Sequence, residues 1–119
     1  MKKLLTIAAI LFSIGANAQT TIKIEDLSAH IGDSVKVCTT IFGGRFFDKP
    51  GNAPTLLNVG AAYPNSPLTL VIWSDLRSQY KTPPEELYKG KAVCITGKVI
   101  LFKEKPEIVI YKEEQIVLQ

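Results

Sequence analysis

The sequence predicts a mainly β fold, a small five-stranded Greek-key barrel with one short helix between the third and fourth strands. Three observations predict it. Short runs of alternating apolar and polar residues recur along the chain, clusters of turn residues separate them, and only one segment, between residues 73 and 90, carries helix start and stop signals.

The chain has 119 residues and opens with MKKLLTIAAILFSIGANAQ. Lys2 and Lys3 precede an uncharged apolar run of about eleven residues, followed by Ala16-Asn17-Ala18, the arrangement of a secretory leader with an A-x-A cleavage site. The run is well short of the ~20 residues that a membrane-crossing helix needs. Residues 1–18 are therefore expected to be a signal peptide, and residues 19–119 one domain, exported to the periplasm or beyond the cell, with no membrane insertion. Lys2 and Lys3 are two of the fourteen basic residues, so the mature chain keeps twelve against eleven acids, a net charge near +1. That balance gives no support to polyanion binding driven by global charge, whereas a local basic patch stays open.

The first strand is expected at residues 35–42, VKVCTTIF, where Val35, Val37 and Ile41 alternate with Lys36, Cys38 and Thr40. Gly43-Gly44 should end it, and RFFDKPGNAP, residues 45–54, reads as a long exposed loop. TLLNVGAAY, residues 55–63, is the second strand with a bend at Gly60; PNSP is a turn; LTLVIW, residues 68–73, is the third strand. TPPEELYKG then offers Thr82 as N-cap, Pro83 at the first helical position, Glu85 three residues after the cap and Gly90 as a stop. Residues 91–102 form the fourth strand, residues 103–106 a turn, residues 107–111 the fifth strand, and QIVL, residues 115–118, a last short run. Five strands with a helix between the third and fourth, in a domain of this size, follow the order of an OB-fold.

A resemblance points the same way. LYKGKAVCITGKVILFKEKPEIVI, residues 87–110, looks like the closing half of OB-fold domains in the anticodon-binding-like nucleic-acid-binding group, where G-K-x-V-x-V-T-G-x-V precedes a hairpin ending in P-E-I-x-V. LNVGAAYPNSPLTLVIW, residues 57–73, resembles the middle strands of small exported bacterial OB-fold proteins, including segments that accompany secreted nucleases. The resemblance spans residues 31–119 and implies the fold more than the ligand, since OB-folds bind nucleic acid, oligosaccharide or protein on the same face.

In that barrel the first strand pairs antiparallel with the fourth, and the alternation turns both Cys38 and Cys94 outward. Two cysteines on adjacent strands of an exported chain predict a Cys38–Cys94 disulfide. Gly97 is expected to let the fourth strand bend sharply.

Catalysis is not expected. The lone histidine, His30, has Asp33 nearby but no nucleophile; there is no C-x-x-C, no zinc spacing and no calcium loop. Arg45 and Arg77 are the only arginines, and the arginine and carboxylate constellation of secreted nucleases cannot be matched. No cofactor or metal is expected. A binding role rests on aromatic and basic residues where OB-folds bind: Arg45, Phe46, Phe47 and Lys49 in the first loop, Asn58, Tyr63 and Trp73 on or beside the second and third strands, and Phe102 and Lys103 in the last hairpin. Bases stack on such rings while cations follow the phosphates. The expected partner is single-stranded nucleic acid or a similar extended polymer, bound by a monomer. The alternative is a module that meets an envelope protein or a small ligand instead.

Overall fold

The computed structural model describes residues 20–119, so the expected signal peptide and its cleavage site lie outside the described residues. Strands β1 (Thr20–Ile22), β2 (Ser34–Phe46), β3 (Thr55–Val59), β4 (Leu68–Ile72), β5 (Ala92–Phe102), β6 (Lys105–Val109) and β7 (Ile116–Leu118) form one sheet, with helices α1 (Ser74–Arg77) and α2 (Pro84–Leu87) between β4 and β5. The fold is mainly β, as expected, but seven strands replace five. β1 pairs parallel with β2, and β7 pairs antiparallel with β5. Of the two extra strands, β7 falls on the last short run, QIVL, while β1, at three residues, is too short for a period of two to register in the sequence.

β2 pairs with both β3 and β5, and β6 bridges β4 (parallel) and β5 (antiparallel), so the pairings bring the sheet round on itself. The alternation closes a core inside that bend: Val35, Val37, Ile41, Leu57, Val59, Leu70, Ile72, Val93, Ile95 and Ile108 are fully buried. Leu27, on the 3₁₀ turn Ile24–His30, joins the same core at 2% exposure.

The glycine pair expected to end the first strand bends it instead. Gly43 lies at φ +144°, and the β2–β3 register shifts between Ile41 and Gly43, the mark of a bulge. Up to Thr40 the strand pairs with β5; beyond the bulge it pairs with β3, which leaves residues 47–54 as the loop. Gly44 is exposed, yet a Cβ there would fall 2.5 Å from the Leu56 carbonyl oxygen and 2.6 Å from Leu57 Cδ2. β5 changes partner in the same manner, from β2 at Lys98 to β6 at Val99, and Gly97 precedes that change with no room for a Cβ beside Ile108.

The second strand ends at Val59 rather than at Tyr63, because Gly60 takes φ +87° and turns the chain out. Two one-turn helices replace the single one expected. α2 starts at Pro84 with Pro83 in the capping position and no side-chain cap, so Thr82 does not act as expected. The reason is long-range: the Glu85 carboxylate is held by Arg77 of α1 and is not free to close a capping box. The last hairpin turns over Lys103-Glu104 alone, both at positive φ (51° and 67°), the two-residue geometry that matches the twist of the flanking strands.

Cys38 and Cys94 are directly opposite in the β2–β5 register and form a disulfide, with Cα atoms 3.9 Å apart. Cys38 is exposed and Cys94 is 9% exposed. Among the described residues no helix is long and apolar enough to cross a membrane.

Candidate ligand-binding face

The bulge at Gly43 decides which side chains reach solvent. Val35, Val37 and Ile41 point into the core, and an unbroken alternation would send residues 43, 45 and 47 after them. One extra residue reverses the parity. Gly44 and Phe46 now pair with the buried Leu57 and Thr55, while Arg45 pairs with Leu56 on the outer face.

That outer face is built in rows across the strands. Arg45, Leu56, Val71 and Val109 are register neighbours in one row; Gly43, Asn58, Thr69 and Glu107 make the next. Phe47 continues the outward parity two residues after Arg45, and the Arg45 guanidinium lies over its ring, 4.8 Å from the centroid. Within the loop, the Phe47 N–H donates to the Pro54 carbonyl (3.1 Å). Asn52 Oδ1 accepts from the backbone N–H (3.2 Å) and hydroxyl (2.6 Å) of Ser74, which ties the loop to the start of α1.

Gly44, Arg45, Phe47, Leu56, Asn58 and Tyr63 line a cleft of about 240 Å³ on this face. Tyr63, carried by the turn after β3, is 79% exposed. No carboxylate of the described residues lies within 4.0 Å of Arg45, which leaves its charge uncompensated. The cleft thus brings together two aromatic rings, the apolar Leu56, an amide at Asn58 and one cation with no carboxylate against it among the described residues. Such a set suits an extended ligand with planar groups and anionic links. Burial pushes the Glu107 carboxyl, farther along the same face, above the usual carboxylate range.

The structure brings together four of the expected site residues, Arg45, Phe47, Asn58 and Tyr63. The others lie elsewhere. Phe46 turns inward and packs under the Arg77 guanidinium, 3.6 Å from its ring centroid. Lys49 lines a neighbouring hollow over the loop with Phe47, Pro50 and Leu56. Phe102 and Lys103 form their own contact at the hairpin tip, with Nζ 5.4 Å from the ring centroid, and line none of the cleft. Trp73 lies on the far side of Asn52 in a separate hollow that Tyr111 shares. Phe42, 47% exposed, lines a depression next to Tyr63. Neither Phe42 nor Tyr111 is among the site residues expected from the sequence. Tyr111 was findable, since it follows Val109 by two on the outward parity of EIVIY, whereas Phe42 sits at the bulge, where parity fails. His30 Nδ1 lies 3.2 Å from Asp33 Oδ2, the neighbour expected for it.

No family model matches the chain, and no curated protein matches it. Among solved structures, a chain described as an aspartyl-tRNA synthetase from Leishmania major Friedlin is similar with a TM-score of 0.49 and 16% identity; the match covers 93% of this chain and 22% of that one.

Proposed function

We propose that this is an exported, non-catalytic OB-type barrel domain that holds single-stranded nucleic acid, or a similar extended polymer, in the Arg45–Phe47–Tyr63 cleft. The ring of pairings through β2, β3, β4, β6 and β5 supports the barrel, and the leader sequence together with the disulfide supports export. One observation carries the ligand: an uncompensated arginine lying over a phenylalanine, in one cleft with an exposed tyrosine.

Binding is then mainly stacking, with little charge. A net charge near +1 lets few phosphates be neutralised at once, so the salt slope should correspond to about two or three ion equivalents. Each stacked base contributes ~1–3 kcal/mol. Phe47→Ala and Tyr63→Ala should therefore weaken a single-stranded oligonucleotide more than Lys103→Ala or Lys105→Ala does, and the oligonucleotide should stay intact with calcium, magnesium or manganese present. Fluorescence anisotropy with single-stranded, double-stranded and oligosaccharide probes at two salt concentrations measures this. Loss of binding in the lysine variants alone would refute the stacking model. Absence of single-strand binding at low salt would replace it by a module that meets an envelope protein.

A further inference from the structure

The hollow that holds Trp73 has the opposite chemistry to the Arg45 cleft. Trp73 follows the last residue of β4 and Tyr111 lies two beyond β6; β4 and β6 are parallel, and the Ile110 N–H donates to the Val71 carbonyl (2.9 Å), which extends their pairing. The two aromatic residues thus leave adjacent strands side by side, 38% and 74% exposed, over a hollow of about 210 Å³ that also takes in Asp75 and the nearly buried Leu76. A shallower depression adjoins it through Tyr111 and Leu76 and carries Glu113 and Glu114. The turn bearing those two acids is fixed by one side chain. Gln115 Oε1 accepts from the Tyr111 N–H (2.7 Å) and the Lys112 N–H (3.1 Å), while its Nε2 donates to the Thr96 carbonyl (2.9 Å).

Asp75, Glu113 and Glu114 have no salt-bridge partner among the described residues, and Lys112 is the one cation lining either hollow. Their field is felt nearby: after burial and the hydroxyl of Tyr88, Glu113 and Glu114 add to the forces holding the Tyr80 phenol protonated. Aromatic faces beside unpaired carboxylates attract a cation twice, through ring quadrupole and through charge.

We propose that the Trp73–Tyr111 hollow is a docking site for a basic segment of a partner polypeptide, with a lysine or arginine side chain laid over the two rings and its charge met by Asp75, Glu113 and Glu114. Two carboxylates on one rim and one on the other suit consecutive basic side chains better than a single cation. The site is independent of the Arg45 cleft, from which the loop residue Asn52 separates it, and it does not rest on what that cleft binds.

Trp73 is the single tryptophan of the chain, so its emission reports this site alone. The full-length mature protein would be titrated at low salt with acetylated tri-arginine and tri-lysine peptides, and with a tri-glutamate control. A saturable change in Trp73 emission with the basic peptides, absent with tri-glutamate and weakened at least about fivefold by Tyr111→Ala or by Glu113→Gln with Glu114→Gln, is the expected result. Arg45→Ala should leave it unchanged. The proposal fails if basic peptides leave the emission flat, if the double glutamine variant binds as the parent does, or if an oligonucleotide gives the saturable response in their place. Circular dichroism of each variant establishes that the fold is kept, and the glutamine pair, on an exposed turn, gives the decisive reading if Tyr111→Ala unfolds.

Discussion

Replacing Cys38 and Cys94 together by alanine should lower the unfolding free energy by about 4 kcal/mol, the chain-entropy value for releasing a loop of this size. The two cysteines are 56 positions apart and directly opposed in the β2–β5 register. The bond therefore holds together strands that an unfolded chain would bring close only at a large entropic cost. It acts on the unfolded state: with the crosslink gone, that state expands and exposes more surface, so the denaturant m-value should rise as the midpoint falls. A small domain has roughly 5–15 kcal/mol to lose, which makes this a large fraction of the total. Urea melts of the parent, the double variant and the parent with reductant measure it, and because Cys38 is exposed, reductant should reproduce the double variant. A double variant within about 1 kcal/mol of the parent would mean that the reduced unfolded chain is already compact.

The cysteine pairing could be read in the sequence because it depends only on strand order and parity, and both hold between Ser34 and Thr40. What failed lies where parity or local preference is overruled from a distance. Gly43-Gly44 has the composition of a stop, but the chain had a partner strand waiting beyond it, and φ +144° at Gly43 bends β2 toward β3 rather than releasing it. That one bulge settles which of two adjacent phenylalanines packs under Arg77 and which lies in the cleft; both are half-buried. From sequence, Phe46 and Phe47 are equivalent. Thr82 and Glu85 have the spacing of a cap, yet the carboxylate finds a stronger partner in Arg77, eight residues back in sequence. The exposure of Tyr63 and the outward placement of Asn58 were legible because one adjoins the turn PNSP and the other alternates with the buried Leu57 and Val59.

Arg77→Ala should be the most damaging single charge deletion in the domain, at about 2–4 kcal/mol, somewhat under the value for a fully buried pair because some solvent reaches this one. Its guanidinium donates to Glu85 Oε1 (2.6 Å) and Oε2 (3.1 Å), donates again to Thr55 Oγ1 (2.8 Å), and covers the Phe46 ring. The Arg77 and Glu85 side chains are 17% and 19% exposed, and Thr55 is fully buried. Removing Arg77 leaves a carboxylate and a hydroxyl without partners and uncovers a ring at the mouth of the core. Arg77→Lys should recover less than half of the loss, since an ammonium has neither the two-pronged geometry nor the flat face. The hydrogen bonds from Arg77 hold the Glu85 carboxyl below the usual carboxylate range, against the opposing effect of burial. A lowered folded-state pKa contributes stability above the unfolded value, ~4.3, that is lost as pH falls through the folded one. Glu107, raised by burial, acts in the opposite sense, losing stability as pH rises from that unfolded value through its own raised one. Both variants keep Glu107, so subtracting an Arg77→Ala or Glu85→Gln stability profile from the parent's removes its effect and isolates the clamp. The difference should shrink steadily from about pH 5 downward. A difference that stays constant with pH, or an Arg77→Ala protein as stable as the parent at pH 7, would show that α1 and α2 are held to the sheet by Leu76 and Tyr88 packing without help from the ion pair.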